Sequence, residues 1–236
     1  QPNGQDDQVY ETPAHTVTVS DFHAGRTEVT VAQWAAIMGD AGTTYGDGGD
    51  NAPFIGTNWF DANEFVCRLN TLTGRTYRLL TDAEWEFAAR GGNESRGTLY
   101  AGSDNPDDVA WTSSNSEGSA HDVAALAPNE LGIYDMSGNA FEWVYDWLTQ
   151  YSGDTLIDPV QLTGQGNKTR RGGGYGEPEV FSRVSRRAIR SRDGSAGMGF
   201  RIGHSKNGLN GMDDPCVAAE PLKSDCVGNE YRDCRL

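Results

Sequence analysis

The four histidines, His15, His23, His121 and His204, are the obvious candidates for base or metal-ligand work. They are scattered, with no H-x-H or H-E-x-x-H spacing between any two, so each reads as a surface or loop residue. Serines are plentiful, but none sits in the G-x-S-x-G elbow that presents a nucleophile. The run Gly172–Gly173–Gly174 invites a phosphate-loop reading. A Walker box also needs a lysine and a hydroxyl at set offsets, and neither is there. Those glycines read instead as a tight turn, or as backbone packed close to an aromatic ring. The stretch "YDMSGNAFEW" is more telling. Asp135 and Glu142 flank a Ser137–Gly138–Asn139 turn, so two carboxylates and the intervening carbonyls could close around a hard cation. Calcium takes about six to eight oxygens and tolerates irregular loops of this kind. The plainer alternative is a tight turn with solvated acids.

Composition narrows the function classes. The chain has 236 residues, enough for one large domain or a domain with an appendage. Its net charge of −15 repels nucleic acid and anionic membrane surfaces alike. No apolar run is long enough to span a bilayer. The start at Gln1, without methionine or an apolar leader, is what a processed, exported chain would show, or one that has been trimmed. Cysteine usage agrees. Cys67 stands alone, while Cys216, Cys226 and Cys234 crowd a polar C-terminal tail with little core to stabilise it. A disulfide is therefore expected within that tail, with the remaining cysteine free or paired to Cys67, in an oxidising compartment. Zinc lacks partners: no C-x-x-C occurs and His204 is remote from Cys216.

The elements that must position these residues are legible in part. "HTVTVSDF" alternates Val17 and Val19 with polar residues, a half-buried strand. Three short amphipathic helices follow. Thr30 with Gln33 and a Gly39 stop marks the first; Asp61 as cap, Glu64 and Gly74 mark the second, with Phe65, Leu69 and Leu72 facing inward. Thr81, Glu84 and Gly91 mark the third. Beyond Gly92 the text turns to tryptophan and glycine punctuation, which suits short strands and long loops. Residues 39–53 and the tail from about 205 to 236 read as mobile insertions. Helices first and loops later point to an α+β class.

Four stretches in a fixed order then resemble one family. "ETPAHTVTVSDFHAGRTEVTVAQW", "DANEFVCRLNTLTGRTYRLLTDAEWEFAARGG", "NELGIYDMSGNAFEWVYDW" and "RRGGGY…RAIRSRDGSAGMGFRIG" are similar to the formylglycine-generating enzyme, or sulfatase-modifying factor, family. The resemblance covers about residues 9 to 203. It implies a C-type-lectin-like fold, with a domain over 1–204 closed by a "GFR" strand and a cysteine-containing tail over 205–236. It also implies a structural calcium held by the side chains of Asp135 and Glu142 and the carbonyls of Gly138 and Ala140. A second calcium of some relatives has Val109 at a matching position, where it finds no ligand.

The family's oxidase chemistry does not carry over. Its two copper-binding cysteines match Glu177 and Ser182, and neither can act as a thiolate; no copper is expected. The histidine set of the iron-dependent sulfoxide synthase branch is missing as well. Two readings remain. The first is a non-catalytic, exported binding or assembly module, a subunit of a larger cell-surface or periplasmic assembly. Its protein partner would meet Tyr175, Glu177, Glu179, Phe181, Ser182, Arg186 and Arg190. The second is an enzyme using copper-independent chemistry, like the siderophore-maturation relatives, with Arg186 and Arg190 gripping a carboxylate. An open polar pocket beside Glu177 and Ser182 would favour the enzyme. Internal salt bridging by the arginines is the plainer alternative to either role.

Overall fold

In the computed structural model, the described residues are 10–39, 49–164, 166–194, 196–205, 212 and 214–218. Along them run β1 (Val17–Thr18), β2 (Phe22–Ala24), α1 (Val31–Met38), α2 (Trp59–Thr73), β3 (Tyr77–Leu79) and α3 (Asp82–Ala89). Then come β4 (Ala110–Trp111), β5 (Ser137–Gly138), β6 (Phe141–Trp147), β7 (Leu156–Ile157), β8 (Asn167–Arg171) and β9 (Ala188–Ser191). The chain closes with β10 (Met198–Phe200), β11 (Ile202–Ser205) and α4 (Pro215–Ala218).

The helix signals translate directly at two of three starts. Thr30 with Gln33, and Thr81 with Glu84, form reciprocal capping boxes, and Gly39 and Gly74 end their helices in the left-handed conformation. The second helix begins three residues earlier than expected. Asn58 is its N-cap, and Asp61 is the third residue that answers it, its carboxylate accepting the Asn58 amide. Burial of Trp59 and Phe60 in the core draws the first turn upstream. Leu72, expected inside, is 68% exposed, because the last turn of α2 overhangs the core and residues 71–76 are all exposed.

Two sheets frame the site. One has the order β10-β6-β8-β9, with β10 parallel to β6 and the other pairs antiparallel. The "GFR" segment thus lies beside "FEW", with Gly199 opposite Glu142. The other sheet, β2-β11-β3, is antiparallel. Parallel pairs β1-β7 and β4-β5 complete the set. Between α1, α2 and the first sheet lies an aromatic core: Trp34 stacks on Phe54 at 4.0 Å, and Phe65 meets Phe200 edge-on at 5.3 Å. A second cluster, around Leu80, Trp85, Met136, Val144 and Val184, supports α3. Short strands, few helices and long ordered loops are the architecture of the C-type-lectin-like class.

Some of the described residues beyond 204 still pack against the domain. β11 runs on to Ser205, Met212 is buried in the aromatic core, and α4 packs against α2. Cys216 is joined to Cys67 of α2 by a disulfide, so of the pairings left open for this cysteine, the one reaching back to the domain is made. Cys226 and Cys234 lie outside the described residues, as do 40–48 of the insertion expected to be mobile. That insertion's far end is docked: Ala52 is buried, and the carbonyls of Ala52 and Asp50 accept the Val31 and Ala32 amides of α1.

Candidate functional site

The glycine run and the acidic loop are one structure. Gly138 donates its amide to the Gly172 carbonyl at 2.7 Å, and Tyr175 donates to the Asn139 carbonyl at 2.8 Å. Both segments need left-handed backbone, with φ of 78° at Gly138, 60° at Asn139 and 75° at Gly173. A Cβ at Gly138 would fall 2.3 Å from the Trp111 carbonyl oxygen, so the close approach of β5 to β4 requires glycine. A Cβ at Gly173 would fall 2.4 Å from Ser182 Oγ. The glycines therefore serve backbone contact, as their sequence suggested.

Beneath this turn lies a carboxylate cluster with one guanidinium. Arg201 donates to both oxygens of Glu142, Nε at 2.7 Å, and the Trp85 indole N–H donates to the same carboxylate at 2.7 Å. Glu28, which no sequence pattern singled out, accepts the Ala140 amide and the Asn139 side-chain amide, each at 2.9 Å. Asp135 accepts the Ala124 amide at 2.8 Å. Burial, then repulsion from Asp135 and Glu142, pushes the Glu28 carboxyl well above its ordinary range despite Arg201. Burial likewise raises Asp135. Burial opposes the charge of Arg201, yet Glu142 outweighs it and holds the guanidinium above its ordinary value.

Among the described residues no three histidine, cysteine or acidic side chains gather as a metal set. A calcium ion here would face Asp135 and Glu142 beside the Arg201 guanidinium, with Glu28 held towards its neutral form. The second oxygen of Asp135 and the loop carbonyls of Gly138 and Ala140 would be the donors. Glu142 would join only by sharing an oxygen with Arg201.

Three arginines of the "RRGGGY…RSRD" stretch, Arg171, Arg186 and Arg187, turn inward. Arg171 is fully buried and donates Nε to Asp82 at 2.6 Å and Nη2 to Glu86 at 2.8 Å, clamping β8 to α3. Arg187 meets Asp82 from the other side at 2.9 Å, its guanidinium 4.0 Å over the Tyr151 ring. Burial alone would raise the Asp82 carboxyl, but these two guanidinium groups hold it at about 2. Nearby Asp146 is pushed up to about 7, by burial and then by the charge of Asp82. Glu11, also unforeseen, gathers Arg186 at 3.0 Å, Arg183 at 3.4 Å and the Ser185 hydroxyl.

This corrects the expected partner surface. Arg186 is buried and ion-paired, and Ser182 has no exposed surface at all. Arg190 lies on β9, opposite Lys168, apart from the glycine turn. Tyr175, Glu177 and Phe181 are half-buried and Glu179 is exposed. They stay at the rim, on the loop that leads into a short 3-10 turn, Glu179–Ser182. Two apolar side chains that sequence reasoning missed join them. Val180 is 45% exposed, and Leu99, whose carbonyl accepts the Val184 amide, is 55% exposed. A leucine or valine in irregular text carries no periodicity, so nothing in the sequence marked either as outward-facing.

The chain was compared with known proteins. A family model described as the sulfatase-modifying factor enzyme 1-like domain matches residues 2–205. The chaperone protein LppX of Paenibacillus barcinonensis is 33% identical over a match covering 56% of this chain and 64% of that protein, so under two thirds of the relative's length is spanned. The formylglycine-generating enzyme of Streptomyces coelicolor is 25% identical, over 85% of this chain and 83% of the enzyme. Among solved structures, Treponema denticola variable protein 1 superposes with a TM-score of 0.75 at 25% identity, covering 83% of this chain and 88% of its own. PvdO from Pseudomonas aeruginosa gives 0.71 at 27%, covering 86% and 88%. With the zipped glycine and acidic loops, the "GFR" strand and a family match over residues 2–205, this protein belongs to the family of sulfatase-modifying factor enzyme 1-like domains.

Proposed function

We propose that this chain is an exported, non-catalytic binding or assembly module on a formylglycine-generating-enzyme-like scaffold, and that its partner is a protein. The observation that carries the reading is the burial of side chains expected to line a pocket. The resemblance sets Glu177 and Ser182 at the positions of the oxidases' cysteines, and the Ser182 side chain is walled in against Gly173 with no access to solvent. Arg186, one of the two arginines expected to grip a substrate carboxylate, is buried and held by Glu11, and its neighbours Arg171 and Arg187 are held by Asp82 and Glu86. The same facts weigh against the copper-independent enzyme.

What this region does offer outward is apolar and acidic: Val180 and Glu179 are exposed, as is Leu99, whose carbonyl bonds Val184, on a chain of net charge −15. That combination fits a partner segment with an apolar side chain flanked by basic groups. A relative named as a chaperone protein is in keeping with a role exercised by binding another protein. The Cys67–Cys216 disulfide supports export, since such bonds persist in oxidising compartments. Structural calcium in the acidic loop is part of the same proposal, motivated by the unbalanced carboxylates.

The test places a photo-crosslinking side chain at Val180 and, as a remote control, at Ile157, in the native source. Crosslinking to one neighbour from 180 and not from 157, lost on Glu179→Lys, is the expected result. Equal labelling from both positions would sink the proposed surface. Conversion of a sulfatase-type cysteine peptide to formylglycine with copper and oxygen would make the chain an enzyme instead.

A further inference from the structure

Outside the site just described, two histidines far apart in sequence meet. His23 of β2 and His204 of β11 are directly opposite each other in the antiparallel ladder. Residues so paired share a sheet face, with Cβ atoms about 5 Å apart. Their rings lie nearly parallel, 15° between planes and 6.0 Å between centroids. Both are at the surface, His23 exposed and His204 half-buried. His23 also borders an open cleft of about 540 Å³, together with Asp21, Phe87 and Asn93, so an ion and its waters have access.

The second observation concerns the tautomer. His204 Nδ1 lies 3.0 Å from the Thr76 carbonyl oxygen and 3.5 Å from the Thr76 hydroxyl. A carbonyl can only accept, so Nδ1 carries the hydrogen and Nε2 is left with its lone pair. A metal-ligating imidazole is oriented in just this way, its far nitrogen donating to a carbonyl or carboxylate. Tyr77, opposite His204 on β3, packs its ring 5.8 Å away and fixes the imidazole from the other side.

We infer that His23 and His204 form a two-imidazole surface site for a divalent first-row transition ion, spanning β2 and β11. Imidazole nitrogens suit zinc, copper and nickel, with metal–nitrogen bonds of about 2 Å for zinc. Among the described residues no third histidine, cysteine or acid gathers with them, so water completes the coordination and the ion is exchangeable. The site is independent of the calcium loop in residues and in ligand chemistry, one using nitrogen and the other oxygen. It ties the edge strand of the small sheet to its central strand. Binding therefore raises thermal stability in proportion to occupancy, because the unfolded chain does not hold the two rings together.

The experiment titrates the calcium-loaded, chelator-free full chain with copper(II) and zinc(II), reading affinity by calorimetry and ligation by copper EPR. The expected result is a site showing two nitrogen donors. His23→Ala and His204→Ala each weaken it at least ten-fold and reduce the pattern to one nitrogen, while His15→Ala and His121→Ala leave it unchanged. His23→Gln and His204→Gln replace the alanine variants should those alter the metal-free melting temperature. Unchanged affinity and nitrogen count in the His23 and His204 variants would overturn the inference. So would loss of the signal in the His15 or His121 variant instead.

Discussion

Removing the Cys67–Cys216 disulfide tests whether the C-terminal segment is part of the domain or merely attached to it. The perturbation is the double variant Cys67→Ser with Cys216→Ser, which leaves no odd thiol from this pair. The bond closes a loop of 149 residues. Loop-closure entropy for that length amounts to about 17 cal/mol/K, or about 5 kcal/mol at 25 °C, lost through expansion of the unfolded chain. Undocking of Met212 from the aromatic core would add to this, because a buried methionine contributes on the order of 2 kcal/mol. For a chain of this size, 5 kcal/mol corresponds to a fall in Tm of about 10–20 °C. Urea denaturation separates the contributions. Loss of the crosslink should lower the midpoint and also raise the m-value, since the unfolded state becomes less compact. A double variant within 1 kcal/mol of wild type, with the same m-value, would refute the entropy argument. It would also mean that the tail contributes nothing to the domain.

Further outcomes follow from the buried charges. Arg201→Met leaves the Glu142 carboxylate buried beside Glu28 and Asp135 with no cation, and should cost about 3–5 kcal/mol in urea denaturation; a loss below 1 kcal/mol would mean the pair is dispensable. Asp146, at about 7 in the folded protein against about 3.9 unfolded, keeps a proton that the unfolded chain has released between those values. Its contribution therefore falls as pH rises from 4 to 7, by up to about 1.4 kcal/mol per pH unit, and Asp146→Asn should flatten that slope; parallel curves for variant and wild type would refute it. Asp82, held at about 2, acts in the opposite sense, its contribution disappearing only as pH falls from about 4 towards 2. Removing calcium with a chelator should lower Tm, and restoring calcium but not magnesium should recover it; an unchanged Tm would exclude a structural ion in the acidic loop.

Local features of this chain were decided by the sequence. Capping boxes at Thr30 and Thr81 and the glycine stops at 39 and 74 are legible because each is a short-range bond between residues a few positions apart. Even so, Asp61 was legible only as part of a box and not as which half of it, since burial of Trp59 and Phe60 chose the start. The four stretches that carry the family resemblance were equally readable, and with them the fold. What the sequence could not decide was direction. Arg186 and Arg187 look like a cationic surface in a list of residues, but the tertiary structure brings Glu11 and Asp82 to them from more than a hundred residues away. Desolvating a guanidinium is tolerable only where such partners converge, so the fold alone determines which arginines turn inward. The same holds for Cys67 and Cys216, and for His23 and His204. Each pair is separated by most of the chain, and only the docking of α4 on α2 and of β11 on β2 sets them side by side.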